Sequence, residues 1–257
     1  MKVVQRAAVT ALLLFAVVGS GQQPPTPAAP QQPVAGTPAP AAPPAEKPPF
    51  ELEHFYLAVM HPAKPFADNV ARRMHDAHND YWQKIATQGD LLLAGPVSGG
   101  DGKVVEVAVY RAATPEDGKR IAEEDPAVQL GLWSTEAHPW MTMKGVLQPI
   151  PRYVPTMNYF LGFLVSGPNF SEEDSPERKK IQEGHMANIK RLGDMGKLVA
   201  AGPFEEDLPL RGIFVFRTNS IEEAQDLTNT DPAVKSGRLK IQLYQWKLPY
   251  DAFPKKK

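Results

Sequence analysis

The sequence predicts an α+β fold in which two ferredoxin-like β-α-β-β-α-β repeats lie in one chain and cover each other's sheets. Three observations carry this. HNDYWQKIATQGDLLLAGP from His78 and HMANIKRLGDMGKLVAAGP from His185 share a histidine, a glycine eleven positions on, then a leucine and Ala-Gly-Pro at identical offsets. Asp125-Pro126-Ala127-Val128 recurs as Asp231-Pro232-Ala233-Val234, followed in each copy by a glycine (Gly131, Gly237) and a tryptophan nine residues later (Trp140, Trp246). The hydrophobic period also switches between strand-like and helix-like in the same order in both copies. The histidines differ by 107 in number and the aspartates by 106, so one loop insertion or deletion accounts for the offset. A period this long indicates a duplicated domain rather than a solenoid.

Residues 1–20 read as a signal peptide: Lys2 and Arg6 are positive, Ala7 to Val18 is apolar, and small residues follow at Gly19, Ser20 and Gly21. Twelve helical residues rise only about 18 Å, against a hydrocarbon layer of roughly 30 Å. The mature form is therefore expected to have no membrane span and to be periplasmic or secreted. Residues 21–49 are Pro, Ala, Gln and Thr with few large apolar groups, so they are expected to form a disordered linker.

Repeat 1 is assigned to 50–150 and repeat 2 to 151–257. First strands are expected at Phe55–Met60 and Tyr159–Val165, rich in aromatic and β-branched residues. Helices follow at Ala67–Gln88 and Pro176–Met195, the second with Ser175 as N-cap and Pro176 at the first helical position. Gly89 and Gly196 are placed to end them in the left-handed conformation. Short strands Leu91–Ala94 and Leu198–Ala201 are each expected to break at Gly-Pro, and third strands span Val104–Arg111 and Gly212–Arg217. Thr114-Pro115-Glu116-Asp117 and Ser220-Ile221-Glu222-Glu223 resemble capping boxes that open a second helix. Last strands lie near Ala137–Met143 and Lys240–Trp246. Both helices of a unit sit on one face of its sheet, so the bare faces can cover each other.

A net charge of -1 with 22% charged residues argues against a nucleic-acid partner. The absence of cysteine removes disulfides and thiolate chemistry. No phosphate-binding glycine loop or Gly-x-Ser-x-Gly elbow is present. His75 and His78 are spaced like two metal ligands, but Gln182 stands at the matching place and no third ligand completes a set, so neither metal nor haem is expected. The Arg72-Arg73 and Arg178-Lys179-Lys180 clusters read as solvated faces, with anion binding the sharper alternative. His54, His61 and His138 have no counterpart and read as solvated surface.

The twin histidines are different. Ile181, His185, Ile189, Leu192 and Met195 form one apolar helical stripe, matched by Met74, His78, Trp82, Ile85 and Gln88. A core-facing imidazole needs a partner and titrates near neutral pH. Asp125 and Asp231 suit an N-cap before Pro, which explains them structurally; orienting a histidine is the functional alternative, and the two are compatible if one oxygen remains free.

These residues resemble the YCII-related (YciI-like) family: a helical histidine, a glycine-ended helix, a short strand ending in Gly-Pro, and a late Asp-Pro. The likeness covers about residues 52–250. It implies that the two repeats form an intrachain dimeric α+β barrel, with a His–Asp pair suspected of acid/base work. A relative of this type is a dehydrochlorinase, and the wider kin include muconolactone isomerases and small monooxygenases. The tandem fusion, the leader and the export signal depart from that pattern.

The expected activity is that of a cofactor-independent lyase or isomerase acting on a small molecule, with His78, Asp125, His185 and Asp231 as catalytic candidates. Gly95, Pro96, Gly202, Pro203 and Trp82 are substrate-pocket candidates. The alternative is a non-catalytic ligand-binding or structural module whose histidines are core hydrogen-bonders. Self-association is left open.

Overall fold

Phe55 to Met60 is an unbroken apolar run with no polar alternation, and the computed structural model shows why: this stretch of strand is buried on both sides. Phe55, Leu57 and Val59 point into one core, while Tyr56, Ala58 and Met60 point into another. The first core lies between the two repeats and the second lies under the helices of repeat 1. The structure describes residues 51–149, 156–206 and 208–253; the expected signal peptide and linker fall outside them.

Repeat 1 runs β1 (Leu52–Pro62), α1 (Asp68–Gln88), β2 (Leu91–Ser98), β3 (Glu106–Tyr110), α2 (Pro115–Glu123), α3 (Pro126–Gln129) and β4 (Trp133–Met143). Repeat 2 follows as β5 (Thr156–Ser166), α4 (Pro176–Asp194), β6 (Leu198–Pro203), β7 (Leu210–Phe216), α5 (Ile221–Thr228), α6 (Pro232–Lys235) and β8 (Leu239–Pro249). Local chemistry sets the ends. Gly89 and Gly196 take φ of 85° and 69° just past α1 and α4, as their positions predict. Thr114, Ser175 and Ser220 cap α2, α4 and α5 by accepting the backbone N–H three residues on.

The eight antiparallel strands form one sheet in the order β4-β1-β3-β2-β8-β5-β7-β6. β2 of repeat 1 pairs with β8 of repeat 2, Val97 opposite Trp246. A bridge between Trp140 on β4 and Phe204 just past β6 brings the two outer edges together, so the sheet nearly closes into a barrel. The two seams are pseudo-symmetric: Trp246 Nε1 donates to the Gly95 carbonyl at 3.1 Å, and Trp140 Nε1 donates to the Gly202 carbonyl at 3.1 Å. Side chains from both repeats fill the barrel interior, among them Phe55, Trp140, Tyr159 and Trp246.

Two expectations need correction. β2 does not break at Gly-Pro but continues to Ser98, because Pro96 and the residues after it lie along the seam where repeat 2 supplies the pairing strand. The apolar stripe of α4 is also shorter than its spacing suggests. Met195 is 53% exposed, since it caps the C-terminal end of the helix beyond the sheet, and Gln88 is exposed at the matching end of α1.

Candidate functional site

Both histidines sit between a helix and the outer face of the barrel, each joined to the aspartate of its own repeat. In repeat 1, His78 Nδ1 donates to Asp125 Oδ2 at 2.6 Å. In repeat 2, His185 Nδ1 lies 2.9 Å from each carboxylate oxygen of Asp231. Asp125 and Asp231 are fully buried. Each also caps a short helix: Oδ1 of Asp125 accepts from Ala127 N at 2.9 Å, and Oδ1 of Asp231 accepts from Ala233 N at 2.8 Å. One carboxylate thus fixes a helix N-terminus and an imidazole together, because Pro at the first helical position leaves the second oxygen pointing at the first helix of the repeat.

A third donor completes each aspartate, and the repeats supply it differently. Trp82 Nε1, one turn after His78, donates to Asp125 Oδ2 at 2.7 Å. In repeat 2 it is Asn188, three residues after His185, that donates to Asp231 Oδ2 at 3.2 Å. The amide of Asn188 is held by Arg191, which donates to its Oδ1 at 2.8 Å, and by the Thr230 hydroxyl at 3.1 Å.

Beyond the aspartates the two sites part. His78 is 1% exposed, and its Nε2 lies 3.2 Å from Oε1 of Glu106, a buried acid on β3. Its ring packs edge-on against Trp133 at 4.7 Å between centroids. Burial alone would drive the proton from His78, yet the carboxylates on both nitrogens prevail and raise its pKa to about 9. At neutral pH this residue is an imidazolium clamped between two acids. His185 has no such clamp. Its ring stacks on Phe214, 5.9 Å between centroids and 17° from parallel, and no protein group among the described residues bonds its Nε2. Its side chain keeps 12% exposure. When neutral, an imidazole that donates from Nδ1 presents a proton-accepting lone pair at Nε2.

The structure therefore brings His78 to Asp125 and His185 to Asp231, as expected. It places the glycines of the pocket candidates elsewhere. A β-carbon on Gly95 would overlap the Lys247 carbonyl and one on Gly202 the Met141 carbonyl, so each glycine admits a strand of the other repeat. Pro96 lines a cleft of about 380 Å³ along the β2–β8 seam, with Asn158 and Lys247. Pro203 ends β6 beside the other seam. Trp82 holds Asp125 in the buried core under α1. His138, expected on the surface, is 9% exposed and bonded to Glu206 at 2.8 Å, beside a cleft of about 480 Å³. Neither cleft is lined by His78 or His185. Among the described residues no group of three His, Asp or Glu side chains is arranged to hold a metal ion.

Glu106 and Phe214 were not singled out from sequence. Glu106 did leave a signal, as the one charge in the run Val104-Val105-Glu106-Val107-Ala108-Val109. Phe214 left none, being one apolar residue among several.

The YCII-related domain matches twice, over residues 55–140 and 163–247. The chain belongs to the YCII-related family. Each YCII repeat thus spans one His–Asp pair, one Asp-Pro and one set of four strands. The uncharacterised protein YjpA of Bacillus subtilis (strain 168) is 34% identical over 65 residues, which are 25% of this chain and 74% of YjpA. Two solved mutants of chlorite dismutase from Candidatus Nitrospira defluvii share the architecture of the tandem. One has a TM-score of 0.52 at 9% identity, covering 76% of this chain and 91% of its own. The other, in complex with cyanide, has a TM-score of 0.50 at 11% identity, covering 77% and 92%. At these identities the likeness shows the dimeric α+β barrel fold and nothing of the chemistry.

Proposed function

We propose that this YCII tandem is a cofactor-independent lyase or isomerase of small molecules in which repeat 2 is the working half. The observation that supports this is the asymmetry of the two imidazoles: Nδ1 of His185 is anchored on Asp231 while Nε2 has no protein partner. His185 is the proton carrier, accepting a substrate proton at Nε2. Asp231 fixes the tautomer and stabilises the imidazolium that forms, and Asn188 and the Ala233 N–H keep that carboxylate in place. General acid–base assistance of this kind contributes about 10²–10⁴-fold.

A second reading applies to repeat 1, on its own observation. Both ring nitrogens of His78 are bonded to acids and the ring is sealed, so this half serves as a structural ionic cluster. It is the non-catalytic alternative, confined to one repeat.

The test is deuterium exchange and turnover, followed by NMR in D2O, across a panel of small carbonyl-bearing and halogenated ring compounds. The expected result is activity on one compound class, reduced 10²–10⁴-fold in His185→Gln. His78→Gln should lower the melting temperature and keep the activity. A panel with no exchange, or a rate that survives His185→Gln, overturns the enzymatic reading.

A further inference from the structure

Repeat 1 places its own carboxylate on the outward nitrogen of its helical histidine, and repeat 2 does not. Tyr110 lies opposite Tyr56 and Phe216 opposite Phe160, so β3 and β7 correspond residue for residue and Gly212 stands where repeat 1 has Glu106. A β-carbon on Gly212 would meet the Gly202 carbonyl, so repeat 2 has no room for an acid there.

Three nearby positions change in the opposite sense. Arg178, Arg211 and Arg238 stand where repeat 1 carries the apolar Ala71, Val105 and Leu132. Two of them stack on one ring, and the third reaches the same loop. The guanidinium of Arg211 lies 4.0 Å and that of Arg238 4.6 Å from the centre of Phe170. Arg178 donates to the Glu172 carbonyl at 2.9 Å, Arg238 to the Ser171 carbonyl, and Arg211 to the Ser166 hydroxyl at 2.9 Å. Burial, then the charges of Arg178 and Arg211, lower the pKa of Arg238, as expected where like charges are crowded. Acids beside them include Glu172, 3.5 Å from Arg211, and Asp174, 4.0 Å from Arg178, which are 66% and 68% exposed and well solvated.

The cluster shares its elements with His185, since Arg178 is on α4 and Arg211 is on β7 with Phe214. Arg178 precedes His185 by two turns of α4, about 10 Å along the axis and within about 20° of the same face. Arg211 is three residues before Phe214, the ring on which His185 stacks, about 10 Å along the strand. An arginine side chain covers most of such a distance.

We infer that the open Nε2 of His185 together with Arg178, Arg211 and Arg238 forms a binding site for a small organic carboxylate, which takes on His185 the place that Glu106 takes on His78. One half of the chain thus displays, covalently attached, the anion that the other half recruits. Arginine suits this task because its planar fork meets a carboxylate through two parallel hydrogen bonds. The inference builds on repeat 2 being the working half and names the substrate class for it.

The experiment is a histidine-ring NMR titration of the full chain, with the His185 signal assigned by its loss in His185→Gln. Benzoate and acetate are compared with benzamide and acetamide at constant ionic strength. The carboxylates are expected to shift the His185 signal saturably and the amides to leave it in place. Arg178→Gln with Arg238→Gln is expected to weaken benzoate binding about tenfold or more. An equal response to acid and amide, no saturation, or unchanged affinity in the arginine variant overturns the carboxylate site. Carboxylate binding without any proton exchange would remove the enzymatic reading and leave this one standing. Exchange on neutral compounds with no carboxylate binding would do the reverse.

Discussion

At the scale of single residues, two imidazoles with the same ancestry meet different fates because of what faces their outward nitrogen. His78 faces Glu106 and is raised to about 9; His185 faces no protein group among the described residues. The sign of the linkage is fixed by that shift. The folded pKa of His78 lies above the ordinary value of 6.5, so its stabilisation is complete below about pH 6.5 and is lost as pH rises toward 9. The shift corresponds to a contribution on the order of 3 kcal/mol. Urea unfolding from pH 6 to 9.5 is expected to show the midpoint falling across this window. In Glu106→Gln the fall should shrink, since the acid that sustains the charge on Nε2 is gone. A wild-type midpoint flat from pH 6 to 9.5 would show that the imidazolium contributes nothing to folding.

At the scale of elements, each repeat does in its first helix and its Asp-Pro turn what its own sequence prescribes. Met74, His78, Trp82 and Ile85 are buried on one face of α1, as their spacing requires, and Asp125 caps α3 as Asp-Pro predicts. The third donors to the aspartates were not legible. Trp82 at four residues and Asn188 at three reach the same oxygen from different helical positions, and only the helix–turn packing selects which. The Gly-Pro strands were misread for a related reason. Local rules treat Gly-Pro as a breaker, whereas β2 is extended by a partner strand from the other repeat. Gly202→Ala tests that role. Its β-carbon would overlap the Met141 carbonyl at the β4–β6 edge, so the variant should lose about 3 kcal/mol or more in urea unfolding. The same change at Gly89, where nothing lies within 4 Å of the added carbon but φ is 85°, tests backbone strain alone and should cost about 1 kcal/mol. Equal losses at the two sites would mean that the seam contact is loose.

At the scale of the whole molecule, the barrel interior is built from both repeats, so neither can bury its inner face alone. Phe55, Leu57 and Trp140 from repeat 1 interleave with Tyr159, Leu161 and Trp246 from repeat 2. The full chain is therefore expected to unfold in one cooperative calorimetric transition. Residues 156–257 expressed alone should self-associate, since β6 and β8 would present the strand edges and apolar face that repeat 1 covers. Light scattering on that half checks it, and a folded, stable monomer would show that the two repeats are merely tethered.

The sequence by itself determined the duplication and the order of the elements, and it offered the His–Asp pairing as the alternative to a plain N-cap. The first two are written in local periodicity and in offsets repeated along the chain, which survive without knowledge of the fold. Tertiary structure alone decided the division between the halves. Whether the outward nitrogen of an imidazole is clamped by Glu106 or left open depends on side chains from elements far apart in sequence, and distance in the chain carries no signal of distance in space.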